Sequence, residues 1–176
     1  QTDQRLERDI NIVVRESNPW DSLLDQIVDQ RGRKNVTPND FEGRGTSHPL
    51  YRMSYVLAKS RRAVDWFNGI TLGTQIGDRF RIHSHHIFPQ GLLYKNGFDS
   101  TNHVHIQQVN AIANRAFLTG ETNLTISDRL PEDYLPEVDD KFPGALDSQL
   151  IPTDRNLWKV ENYREFLAAR RELISD

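Results

Sequence analysis

Apolar residues recur at helical spacing early in the chain, with Leu23, Leu24, Ile27 and Val28 lying between Asn18-Pro19 and Gly32. Asn18 supplies a capping side chain, Pro19 suits the first helical position, and Gly32 ends the run. Residues 35–47, with Pro38, Asn39, Gly43 and Gly45, read as a loop. A second helix is predicted from Ser47-His48-Pro49, with a stripe of Leu50, Met53, Leu57 and Val64 and a stop at Asn68-Gly69. After Gly69 the period changes: Phe80 and Ile82 alternate with Arg81 and His83, as in a short strand. Leu92 and Leu93 mark a brief helix before the Asn96-Gly97 turn. Asn102 is placed to cap the next helix, with Val104, Gln108 or Val109, and Ile112 facing inward. Ala116, Phe117 and Leu118 form a second short strand, Gly120 turns the chain, and Thr122 caps a helix limited by Pro131. Residues 136–153 contain Pro136, Pro143, Gly144 and Pro152 and read as a long irregular excursion. The last helix carries Tyr163, Phe166, Leu167 and Ile174 on one face. The pattern predicts an α+β, mostly helical chain forming one compact unit. A helical lead-in subdomain covers residues 1–75, a mixed core 76–135, and a loop with a C-terminal helix 136–176.

The length of 176 residues suits one domain with a helical extension. No apolar run approaches a bilayer span, and no charged-then-apolar leader opens the chain. The first residue is Gln, so the chain reads as the C-terminal part of something longer. The absence of cysteine excludes disulfides and thiolate metal sites and fits a reducing, cytoplasmic location. A net charge of −3 argues against indiscriminate coating of nucleic acid, yet the charge is uneven. Residues 31–62 hold eight basic side chains (Arg31, Arg33, Lys34, Arg44, Arg52, Lys59, Arg61, Arg62) against Asp40 and Glu42. Residues 130–150 are acidic. A solvated helix face is the plain reading of the basic segment, and a phosphate-contacting surface the sharper one.

Five of the six histidines fall within residues 83–105, three of them in His83-Ser-His85-His86 before Ile87-Phe88-Pro89. Neighbouring residues of a strand face opposite sides, so His85 and His86 cannot both ligate one ion from a regular strand. They can divide the labour, one binding a metal while the other faces water or substrate. His83 reads as a packing histidine, and His103 and His105 as surface residues opening a helix. Asn114 can be read as a turn former and Asn123 as a first-turn capping residue.

Taken together, His85-His86-Ile87-Phe88-Pro89, then Asn114-Arg115-Ala116-Phe117-Leu118-Thr119, then Asn123 through Arg129 and Pro131 resemble the HNH nuclease family. The nearest likeness is to the C-terminal nuclease domain of the GmrSD-type restriction and phage-defence enzymes. It covers roughly residues 48–135. The resemblance implies a ββα-metal (His-Me) finger at 76–135, acting as a metal-dependent endonuclease on foreign double-stranded DNA with little sequence preference. It implies His86 as general base and His85 and Asn123 as metal ligands. Asn114 would steady the loop or the tilt of His86, with Asn110 as the other candidate, because 28 residues separate Asn114 from His86. Arg115 and Arg129 would grip flanking phosphates, with Arg61 and Arg62 extending that surface. The implied cofactor is Mg²⁺ or Mn²⁺. Both ligands are neutral, which favours Mn²⁺, Ni²⁺ or Zn²⁺ over Mg²⁺. The implied partner is an N-terminal nucleotide-hydrolysing or modification-sensing domain, and a homodimer is open.

Two other classes fit fewer residues. A zinc hydrolase would use His83, His85 and a distant third ligand. A degenerate finger would bind nucleic acid or a partner protein without cutting.

Overall fold

A computed structural model describes residues 2–32, 35–74 and 77–176. They fall into two units, Gln1–Val36 and Thr37–Asp176. Of the basic segment, Arg33 and Lys34 lie outside the described residues.

The first unit is a helix pair, α1 (Thr2–Arg15) and α2 (Pro19–Arg31). Pro19 opens α2 and Gly32 closes it at φ 78°, its N–H returning to the Val28 carbonyl, as the sequence predicts. Asn18 departs from the expectation: its amide donates to the Asp21 carboxylate instead of capping the backbone. Gln26 Nε2 ties the helices together by donating to Asp9 Oδ1 at 3.2 Å.

The second unit begins with a 3₁₀ turn, Pro38–Phe41, inside the expected loop, followed by α3 (Pro49–Ser60), whose first turn is capped by His48 Nδ1. Two features of α3 differ from the sequence pattern. It stops at Ser60 rather than Asn68, because Arg62 takes a positive φ of 54° and Ala63 N–H turns back to the Ala58 carbonyl. Its buried face is Tyr51, Tyr55 and Ala58, packed on Phe117, while Met53 points to solvent. Leu50 and Leu57 of the expected stripe do pack, against Phe41, Ile112 and Ile174, so of that stripe within the helix only Met53 is left out. Residues 63–72 form a tight turn with a bridge between Val64 and Thr71. At its centre Asp65 is fully buried and accepts from the N–H groups of Phe67, Asn68 and Thr119 and from the Thr122 hydroxyl.

The only sheet among the described residues pairs β1 (Ile82–His86) with β2 (Arg115–Thr119), antiparallel, with His85 opposite Ala116 and His86 opposite Arg115. Phe80 lies in a 3₁₀ turn before β1 and is not part of the strand. Between the strands run α4 (Gln90–Lys95) and α5 (His103–Val109), the latter capped by Asn102 Oδ1. Val104 is exposed, against expectation, and Val109 takes the inward place.

After β2 comes α6 (Gly120–Ile126), capped by Thr119 rather than Thr122, since Thr122 is already inside the helix and committed to Asp65. The expected irregular excursion contains two helices, α7 (Pro131–Lys141) and α8 (Ala145–Ser148). Pro136 is tolerated within α7 because burial of Tyr134, Leu135 and Val138 outweighs one missing backbone hydrogen bond. The final helix α9 (Tyr163–Ser175) buries Tyr163, Phe166, Leu167 and Ile174, as the sequence predicts, and also Arg170. Phe88 packs on Tyr163 and Phe166, which joins α9 to the loop after β1. The chain is α+β and mostly helical, with one two-stranded sheet among the described residues, in the second unit. No helix among the described residues is long and apolar enough to cross a membrane.

Candidate active site

β1 ends at His86, and the strand pleat sends His85 and His86 to opposite faces. His85 faces inward. It is 2% exposed and edged by the rings of Trp66 and Tyr134, at centroid distances of 6.1 and 6.0 Å. Its Nδ1 lies 2.9 Å from Asn123 Oδ1, and its Nε2 lies 3.4 Å from the Tyr134 hydroxyl. That hydroxyl donates to the Ile87 carbonyl at 2.9 Å, so its oxygen can accept from His85 when the ring proton is on Nε2; with the proton on Nδ1 the ring donates to Asn123 Oδ1 instead. Burial lowers the His85 pKa to about 4, with the Asn123 contact opposing and the Arg115 charge adding to the shift. The ring is therefore neutral at physiological pH, as a metal ligand must be.

Asn123 reaches His85 because Thr119 and Asp65 fix the start of α6 just beyond β2. Two donors 2.9 Å apart match the edge of a small-cation coordination octahedron, about 3 Å for bonds of about 2.1 Å. The pair fits a divalent ion held with the His85 proton on Nε2, facing Tyr134. No group of three or more His, Cys, Asp or Glu side chains surrounds it among the described residues.

His86 faces the other way and is half-buried. Its Nε2 lies 3.2 Å from Asn110 Oδ1 and its Nδ1 3.3 Å from Arg115 Nη1. Burial, and after it the Arg115 charge, lower its pKa to about 4. Gln90 Nε2 also donates to Asn110 Oδ1, at 2.8 Å.

Asn114 joins the two halves. It is fully buried, accepts from Phe88 N–H at 2.9 Å, and donates to the carbonyls of Phe88 (3.1 Å) and Val109 (3.0 Å). Its own carbonyl takes the Ile87 N–H at 3.0 Å. The backbone immediately after His86 is thus tied to the backbone immediately before β2. Asn110, the alternative to Asn114 in the sequence, bonds the His86 ring rather than the loop.

The remaining sequence-predicted residues stand apart. Arg129 is paired with Glu137 on α7, which holds its pKa above the usual value. Arg61 pairs with Asp147 at 3.1 Å, so the basic segment meets the acidic one here. Arg62 is exposed, and His83 is exposed beside Gly120. Sequence reasoning missed Tyr134 and Trp66, whose rings edge His85. A lone aromatic just after Pro131, outside any predicted element, carries no periodic signal, and only the fold brings it to His85.

Comparison with family models, with curated proteins and with solved structures returned no match.

Proposed function

We propose that residues 76–135 act as a ββα-metal HNH endonuclease that hydrolyses phosphodiester bonds of double-stranded DNA, in a cytoplasmic anti-phage role. The observation that carries this reading is the division between two adjacent histidines. His85 meets Asn123 on one face of β1, His86 stands on the other, and Asn114 locks the loop that follows them. Hydrolysis needs an oriented base near a cation-stabilised phosphate, and His86 with the His85–Asn123 pair would supply the base and the cation site.

His85 Nδ1 and Asn123 Oδ1 would hold the divalent ion, which supplies charge stabilisation at the scissile phosphate. With His85 Nε2–H donating to the Tyr134 hydroxyl oxygen, Nδ1 would keep its lone pair for that ion. His86, neutral at working pH, receives the proton of the attacking water. Arg115, a half-buried fork beside His86, contacts a phosphate. Both ligands are uncharged, so activity should favour Mn²⁺ or Ni²⁺ over Mg²⁺. Selection of the target, in this reading, falls to an N-terminal nucleotide-hydrolysing or modification-sensing domain.

Supercoiled plasmid incubated with the protein and each metal in turn tests the proposal. Conversion to nicked or linear forms by the wild type, and not by His86→Ala, is the expected result. A wild-type protein inert with every metal would favour the non-cutting alternative.

A further inference from the structure

Arg115 keeps unusual company for a half-buried cation. Its Nη1 lies 3.3 Å from His86 Nδ1 and 3.5 Å from Ser84 Oγ, and its Nη2 donates to Asn110 Oδ1 at 2.9 Å. Its Nε is buried without a partner, and no carboxylate among the described residues pairs with the guanidinium. A guanidinium only donates, so His86 Nδ1 must accept.

The orientation of Asn110 is equally constrained. Its Nδ2 donates to the Ile106 carbonyl at 3.0 Å, and its Oδ1 receives Arg115. Oδ1 is therefore what faces His86 Nε2 at 3.2 Å, and Nε2 must carry the ring proton. The neutral imidazole is held in one tautomer. Its one lone pair, on Nδ1, points at Arg115 and is closed to water.

We propose that Arg115 is a substrate-operated cover on the base: a phosphodiester draws the guanidinium off His86 Nδ1, and Asn110 keeps the proton on Nε2 meanwhile. The proposal rests on the nuclease reading above. Arginine and phosphate form paired charge-assisted hydrogen bonds, stronger than a single N–H to an imidazole nitrogen, so a bound backbone outcompetes the ring. Once uncovered, Nδ1 takes a proton from water as the water oxygen bonds to phosphorus. The P–O3′ bond breaks with its electron pair, and the leaving oxygen takes a proton from solvent. The imidazolium then returns its proton to solvent. The base is exposed only where there is a phosphate to attack.

The ¹⁵N resonances of His86 in the full chain, recorded in EDTA while a short blunt DNA duplex is added, read the cover directly. We expect a protonated Nε2 throughout. Nδ1 should move from a hydrogen-bonded position to that of an unbonded lone pair as duplex binds. In Arg115→Met, Nδ1 should sit at the unbonded position with and without duplex, and affinity should fall by about tenfold for the lost charge-assisted contact. A Nδ1 resonance that ignores the duplex overturns the proposal, as does a free protein with the proton on Nδ1. Should Arg115→Met fail to fold, the wild-type titration alone decides. The readout needs no cleavage. A Nδ1 shift in a protein that never nicks plasmid supports the cover and sinks the hydrolytic reading, whereas nicking without the shift sinks the cover alone.

Discussion

His86 and Arg115 face each other as a direct pair across the sheet, with Nδ1 and Nη1 3.3 Å apart. Cross-strand partners share a face, so the register itself brings a cation to the imidazole. A slip of one residue would set Ala116 opposite His86 and turn every side chain of β2 over. Burial of Ala116 and Leu118 against the main core resists that slip. The geometry of the proposed base is therefore anchored by apolar packing on the other side of the strand.

Replacing that base tests the assignment most directly. His86→Ala should lower plasmid cleavage by about 10²–10⁴-fold, the usual cost of removing a general base. DNA affinity and thermal melting should stay near wild type, because the side chain is half-buried and lies outside the core. Wild-type turnover in the variant would remove His86 from the chemistry.

Metal dependence should track the inward pair. Both His85→Ala and Asn123→Ala should raise the Mn²⁺ concentration needed for half-maximal cleavage, by about tenfold or more if each supplies a ligand. His83→Ala should leave the titration curve almost unchanged, since His83 is exposed beside Gly120 while the Asn123 oxygen meets buried His85. Identical curves for all three variants would place the ion elsewhere.

Asn114→Ala is expected to act mainly through stability. It removes three buried hydrogen bonds and leaves the Phe88 N–H and two carbonyls without partners. Each orphaned group costs about 1–3 kcal/mol, so a loss of several kcal/mol should appear in urea melts. A melt matching that of His86→Ala would mean the loop holds without this side chain.

The two depressed histidines give the metal-free protein an acid-side weakness. The ordinary imidazole pKa is about 6.5, and burial takes His85 down to about 4. Above about 6.5 neither the folded nor the unfolded form is protonated, and stability is complete. As pH falls from there toward about 4 the unfolded chain binds the proton first, so stability declines, by about 3 kcal/mol for His85 alone. Urea melts at successive pH values should show that decline, and His85→Gln should flatten it. A wild-type profile flat through this window would mean that His85 is not buried in neutral form.

The basic segment remains a separate question. Arg61→Ala with Arg62→Ala should weaken DNA binding for all sequences alike and flatten the log affinity against log salt slope by about 0.9 per lost phosphate contact. Arg61 is already paired with Asp147, so DNA must displace that carboxylate, and Asp147→Ala should tighten binding. Measured with the His86→Ala protein, unchanged affinity and slope would make this surface ordinary.

What the sequence by itself determined is local. Pro19 and Gly32 set the limits of α2, the Asn102 cap the start of α5, and Gly97 the turn after Asn96, because each acts through its own neighbouring backbone. The clustering of His83, His85 and His86 marked the site, and two-residue strand periodicity already put adjacent histidines on opposite faces. Only the tertiary structure decided which face of α3 is buried, since Phe117 of a distant strand selects Tyr51 and Tyr55 over Met53. It likewise made α7 a helix despite Pro136, because burial of Tyr134 and Val138 exceeds the propensity lost at one position. The partners of the two histidines are of this second kind. Asn123 is 38 residues from His85, Tyr134 is 49 and Asn110 is 24 from His86. No local preference encodes such separations; they follow from how the helices pack around two short strands.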